Sequence, residues 1–174
     1  MIDTLLNYFR LDSGKETVCS LPFRVKSIAE ILETEFMPQM EKKRLAFETV
    51  NEADEVVMGD RNLILRIGSN LLSNALKFTQ KGSVRLITGY SDGNFMLAVD
   101  DTGTGIDKGK QNRIFKPFER LGNAATQDGF GLGLAIVRSL AELMDGSITV
   151  ESVPGKGTTI TMRKKLGALP CRVK

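Results

Sequence analysis

Residues 84–106 read VRLITGYSDGNFMLAVDDTGTGI. Two runs with strand character, Val84 to Thr88 and Phe95 to Asp100, flank Ser91-Asp92-Gly93-Asn94, a good hairpin turn. The second run passes directly into a carboxylate pair and two alternating glycines. Downstream, Ile148 to Val153 and Thr158 to Arg163 form a second strand pair. Upstream, Leu45 to Val50 and Val56 to Met58 are strand candidates joined by the polar stretch Asn51 to Glu55. Helical spacing occupies the intervals. Ile28, Ile31, Leu32, Phe36 and Met40 mark an amphipathic helix from Ser27 to about Lys42, bent near Pro38. Asp60 stands as an N-cap before a long helix to about Thr79, and a third helix runs from Leu132 to Met144, stopped by Asp145-Gly146. A short helix is expected at Gln111 to Phe115, and no pattern is legible from Gly167 onward. Elements in blocks with hairpin-like strand pairs predict an α+β fold: a two-layer α/β sandwich with a mixed, mostly antiparallel sheet and helices on one face.

Composition narrows the chemistry. The 174 residues contain no histidine, so no imidazole of this chain can act as base, nucleophile or metal ligand. Cys19 and Cys171 are isolated thiols, which favours a reducing compartment. The net charge of +3 is spread along the chain and makes no case for nucleic acid. No apolar run is long enough to span a membrane, and no signal-peptide pattern is present. The opening residues place Ile2, Leu5, Leu6 and Phe9 at helical spacing and stop at Ser13-Gly14. This reads as the end of a longer helix whose apolar stripe calls for a partner.

Four features could carry chemistry. Asn70, Asn74 and Lys77 fall at i, i+4 and i+7 beside the apolar face of the long helix. They are either a solvated stripe or two amides for a hard cation plus an ammonium for phosphate. Asp101-Thr102-Gly103-Thr104-Gly105-Ile106 is either an ordinary turn or a carboxylate and bare backbone against which a flat base can lie. Gly129, Gly131 and Gly133, interleaved with Phe130, Leu132 and Leu134, open a helix and offer unpaired N–H groups to phosphate. Their spacing is not the dinucleotide fingerprint, and Gly155-Lys156-Gly157-Thr158 is not a P-loop, because Val150 stands where its first glycine is required. Between these lie Ile114-Phe115 and Phe118, an apolar anchor ahead of a small-residue loop, either a lid or an exposed connection.

In this succession the motifs resemble the ATP-binding domain of sensor histidine kinases. That domain has the Bergerat fold, shared with type II topoisomerases, heat-shock chaperones and mismatch-repair ATPases. The resemblance covers Leu21 to Lys165. It implies that residues 1–16 are the end of a dimerisation and phosphoacceptor helix, 17–165 the catalytic domain and 166–174 an unstructured tail. By the same resemblance ATP and Mg²⁺ are the cofactors, with Asn74 as metal ligand, Asn70 assisting and Lys77 on phosphate. Phe78 stands where the family often has Tyr. Asp101 would accept from the adenine amino group, and Gly103, Gly105 and Ile106 would line the base. Thr158 would help hold a water. Phe118, Gly129, Gly131, Leu132, Gly133 and Leu134 would form the lid and its phosphate-side hinge, and Arg120 would reach the triphosphate.

The resemblance also bears on mechanism. Hydrolysing relatives carry a glutamate one turn before the metal-binding Asn. Here that position is Asn70, an amide without basicity, so phosphoryl transfer to another protein is expected over hydrolysis. The acceptor would be a histidine on a helix hairpin upstream of Met1, and a response regulator would follow. The longer protein is expected to be a homodimer anchored in the inner membrane, with this domain in the cytoplasm. The competing readings are a serine-directed kinase or slow ATPase of the same fold, and a regulatory module that only binds nucleotide.

Overall fold

The computed structural model describes residues 2–119 and 131–169. In chain order they form α1 (Ile2–Asp12), β1 (Leu21–Arg24), α2 (Lys26–Lys42), β2 (Ala46–Asn51), β3 (Val56–Gly59) and α3 (Arg61–Phe78). There follow β4 (Ser83–Ser91), β5 (Asn94–Asp101), α4 (Gly133–Leu143), β6 (Ser147–Val153), β7 (Gly157–Lys165) and β8 (Gly167–Ala168). The main sheet has the order β2-β4-β5-β7-β6. Its pairs are antiparallel except β2 with β4, which are parallel. The expected α+β sandwich is the observed architecture.

Strand alternation separates the two faces of this sheet. Val84 and Leu86 of β4, Phe95, Leu97 and Val99 of β5, and Ile160 and Met162 of β7 are buried. They share one core with Ile28, Leu32 and Phe36 of α2, Ile64, Ile67 and Leu71 of α3, and Ile136 and Leu140 of α4. Each such fully buried side chain contributes about 1.5–3 kcal/mol relative to exposure. The opposite face carries a cross-strand polar row. Arg85 faces Glu48 and Asp100 at 3.7 and 3.5 Å, and Thr159 Oγ1 donates to Asp100 at 2.6 Å.

Asp60 is the N-cap of α3, and both of its oxygens are used: one accepts from the Leu63 N–H at 3.0 Å and the other from the Cys19 N–H at 2.7 Å. Pro38 lies inside α2 as expected.

Three expectations are corrected. β2 and β3 do not form a hairpin. Asn51 donates to the Ala53 carbonyl at 2.7 Å and accepts from Thr88 Oγ1 at 2.9 Å, which turns the chain away from the main sheet. β3 instead pairs with β1 and β8 in a small second sheet. The segment beyond Leu166 therefore contributes a strand, with Met58 opposite Gly167 and Val57 opposite Ala168, instead of starting an unstructured tail. The helix expected at Gln111 to Phe115 is a 3₁₀ turn at Lys108–Lys110 followed by turns. Gln111 Nε2 donates to the carbonyls of Ile106 at 3.0 Å and Ser152 at 2.9 Å, so its side chain pins this segment to neighbouring loops.

α1 lies against α4, with Leu5, Tyr8 and Leu11 packed on the core while Leu6 and Phe9 stay exposed.

Candidate nucleotide site

The site is built where the ends of α3, β5 and β7 meet the start of α4. Asp101 ends β5 and Thr158 lies opposite it in β7. Strand alternation puts both on the helix side of the sheet, while Asp100 and Thr159 point out. Burial raises the pKa of the Asp101 carboxyl above its usual value. The Gly103 N–H, donating to Oδ1 at 2.8 Å, opposes that shift, the charge of Asp100 adds to it, and the Thr158 N–H opposes it. The Thr79 hydroxyl is fully buried and has no partner in hydrogen-bonding geometry among the described residues.

The glycine turn beside Asp101 is compressed. At Gly105, with φ +66°, a Cβ would lie 2.1 Å from the Val153 carbonyl oxygen, and at Gly103 one would lie 2.6 Å from that of Phe78. Both glycines are thus required by close backbone packing within the chain. Ser152 locks the turn in place. Its Oγ accepts from the Ile106 N–H and donates to the Gly157 carbonyl, each at 2.8 Å. With that proton committed, the Thr158 O–H, also at 2.8 Å, donates to Ser152 and Thr158 remains an acceptor. Ser152 and Gln111 were not among the expected site residues. Ser152 continues the partly buried face of β6 after Ile148 and Val150 and has no distinctive spacing.

At the other end, Asn70, Asn74 and Lys77 are half-buried along α3. Asn70 Nδ2 donates to the Arg66 carbonyl at 2.8 Å, which leaves Oδ1 as its available atom. A Cβ at Gly133 would be 3.4 Å from that Oδ1 and 3.6 Å from Asn74 Nδ2, so the two amides face the first turn of α4. Asn74 Nδ2 is buried without a hydrogen-bond partner among the described residues. Leu132, the residue before α4, provides no side-chain cap for the first N–H groups of this 11-residue helix. Lys77 Nζ lies 5.3 Å from the centre of the Phe78 ring, which is partly exposed.

The remaining expected residues are placed as follows. Leu132 is buried in the core, Leu134 packs partly against it, and Gly131 has φ +69°. Ile114 and Phe115 are buried, with the Arg138 guanidinium 5.2 Å from the Phe115 ring centre, so the anchor before the loop is well seated. Phe118 is exposed. Its N–H donates to the Gly131 carbonyl at 3.1 Å, and its ring stands edge-on to Tyr8 of α1, the centroids 6.0 Å apart. Arg120 and Gly129 lie outside the described residues.

A partly desolvated carboxylate thus lies at one end, and at the other the start of α4 faces two amides. The family described as "Histidine kinase-, DNA gyrase B-, and HSP90-like ATPase" matches residues 59–168. This chain belongs to that family. Among curated relatives it is 33% identical over 168 residues to the sensor histidine kinase RcsC of Escherichia coli, covering 94% of this chain and 18% of RcsC. It is 31% identical over 172 residues to the autoinducer 2 sensor kinase/phosphatase LuxQ of Vibrio parahaemolyticus, covering 93% of this chain and 20% of LuxQ. The chain thus spans about a fifth of the length of these relatives. The crystal structure of full-length ShkA in complex with AMPPNP superposes with a TM-score of 0.86 at 26% identity, covering 98% of this chain and 36% of ShkA. The catalytic domain of the histidine kinase ThkA, nucleotide-free, shares the fold with a TM-score of 0.74 at 22% identity, over 84% of this chain and 95% of that domain. The domain is the ATP-binding catalytic domain of the sensor histidine kinase type.

Proposed function

We propose that this domain binds ATP with Mg²⁺ and presents the γ-phosphoryl group to a histidine on a helix hairpin outside these 174 residues. The observation that carries the reading is the buried, unpartnered amide nitrogen of Asn74 facing the uncapped start of α4. An orphaned buried polar group costs about 1–3 kcal/mol, which a ligand would relieve. Rotating that amide by half a turn presents an oxygen at the same place. With Asn70 Oδ1 it would give a hard cation two neutral oxygen donors. Among the described residues no group of three or more His, Cys, Asp or Glu side chains is placed to hold a metal, so these amides are the donors this end offers. When bound there, Mg²⁺ would neutralise charge on the phosphate oxygens.

The chain's own groups divide the work. Asp101 accepts from the adenine amino group, and Thr158 accepts from a bridging water. The N–H groups opening α4, with Gly131 and Gly133 at its approach, hold phosphate, and Lys77 adds positive charge. In the transfer the bond from γ-phosphorus to the bridging oxygen breaks, a bond to an imidazole nitrogen forms, and ADP leaves. Asn70 has no basicity with which to activate water, and its Nδ2 is already committed to the Arg66 carbonyl. Transfer to protein is therefore favoured over hydrolysis. Residues 1–16 would then be the end of the phosphoacceptor helix, and the catalytic unit would run from residue 17 through β8. A response regulator would take the phosphoryl group onward, and the longer protein would be a membrane-anchored homodimer. Among the described residues no helix is long and apolar enough to cross a membrane.

The test is label transfer from γ-labelled ATP. This chain alone should bind Mg-ATP and acquire no acid-labile phosphate. Adding a folded chain that carries the cognate hairpin should yield an acid-labile phosphoprotein. An acid-stable product would indicate a serine-directed kinase instead.

A further inference from the structure

A cation from outside the expected motifs reaches the last turn of α3. α2 closes with paired turns: the Leu45 N–H donates to the Met40 carbonyl at 3.0 Å and the Arg44 N–H to that of Glu41 at 2.9 Å. Met40 and Leu45 are buried beneath this closure, as a Schellman motif requires. Its left-handed position, φ 57°, is occupied by Arg44, where glycine would be least strained. The closure fixes the path of Lys43 immediately before it. Lys43, half-buried, extends across to α3, where its Nζ donates to the Leu76 carbonyl at 2.5 Å and lies 3.5 Å from that of Lys77. These carbonyls belong to the last turn of α3, where oxygens lack helical partners and the helix dipole is negative.

We propose that Lys43 is a positioning residue for phosphate binding: it fixes the peptide units from which Lys77 projects. On the far side of the same turn Gly103 packs against the Phe78 carbonyl, where a Cβ would be only 2.6 Å away. The end of α3 is thus held between a lysine from α2 and the glycine turn of Asp101. Its phosphate side and base side are set by consecutive residues, 76 to 78. A clamp at this point acts on orientation, and small losses of orientation weaken a contact to a charged ligand strongly. The proposal rests on the reading of Lys77 as a phosphate contact.

The experiment compares the affinities of this chain for adenosine and for Mg-ATP by calorimetry. Lys43→Met should weaken Mg-ATP about fivefold or more and leave adenosine within about twofold, because the Gly103 contact still holds the base side of this turn and the lost orientation concerns Lys77. Lys43→Arg, which keeps a cationic donor, should recover most of the loss. In a Lys77→Met background, Lys43→Met should no longer change the ratio of the two affinities. Equal losses for both ligands, no loss, or an undiminished effect in the Lys77→Met background would each overturn the proposal. If Lys43→Met does not fold, Lys43→Gln carries the same comparison, since its side chain is uncharged and one atom too short to reach the Leu76 carbonyl. A wild-type chain that binds no Mg-ATP would instead overturn the nucleotide reading, and this proposal with it.

Discussion

Asp100 and Asp101 are neighbours in the chain and sit on opposite faces of one strand. On the outer face Asp100 is met by Arg85 at 3.5 Å and by the Thr159 hydroxyl at 2.6 Å, and its side chain stays partly exposed. On the helix side Asp101 is desolvated, held by the Gly103 N–H and raised in pKa by burial and by its neighbour's charge. The first carboxylate has its needs met by the fold. The second is partly desolvated at a cost in stability, and that is how a protein keeps a group available for a ligand.

The sharpest way to break this contrast is through the backbone beneath it. Gly157, at φ +123°, would place a Cβ 1.8 Å from the Asp101 carbonyl oxygen, whereas at Gly155, φ +75°, nothing lies within 4 Å. Gly157→Ala should destabilise by about 3 kcal/mol or more in denaturant unfolding, because strain and backbone clash add. Gly155→Ala should cost only about 1 kcal/mol, from the conformation alone.

Next in size is the ligand itself. Asp101→Asn should weaken ATP binding at least about tenfold by calorimetry, since a hydrogen bond to a charged acceptor is worth about 1.5–3 kcal/mol. An affinity within twofold of wild type would remove Asp101 from the base-binding role.

A pH series without ligand sharpens the comparison further. The folded-state pKa of Asp101 is raised, so its contribution to stability is fully present below the unfolded value near 3.8 and is lost as pH rises through the folded value. Relative to wild type, Asp101→Asn should therefore gain stability across that window and stay ahead at neutral pH. The measurement is the difference between their unfolding free energies at pH 3.5 to 7.5, in steps of about half a unit. A flat difference would contradict the desolvated carboxylate.

The smallest effect belongs to the outer face. Asp100→Asn should change stability by only about 0–1 kcal/mol, as expected for an exposed pair, and should leave ATP affinity unchanged.

Much of this was legible from local signals. Asp60 as N-cap, the Asp92-Gly93 turn and the 3.6-residue spacing of α2, α3 and α4 each report on a few consecutive residues, and local physics decides them. The row Asn70, Asn74 and Lys77 was equally visible. The pairing of β3 with β1 and β8 was not, because the strands are four, four and two residues long and meet across the chain. Ser152, Gln111 and Lys43 were missed for the same reason. Their hydrogen bonds span 46, 41 and 33 residues, and no spacing in the sequence announces them.

The sequence by itself determined the kind of fold, the order of its elements and the chemistry it can offer, including the lack of any histidine to phosphorylate. Periodicity, turn residues and residue type are properties of short windows. Tertiary structure decided how that chemistry is presented: which of two adjacent carboxylates is desolvated, which end of the Asn70 amide remains available, and which distant lysine secures the last turn of α3. Burial and long-range hydrogen bonding exist only once separate segments have packed together.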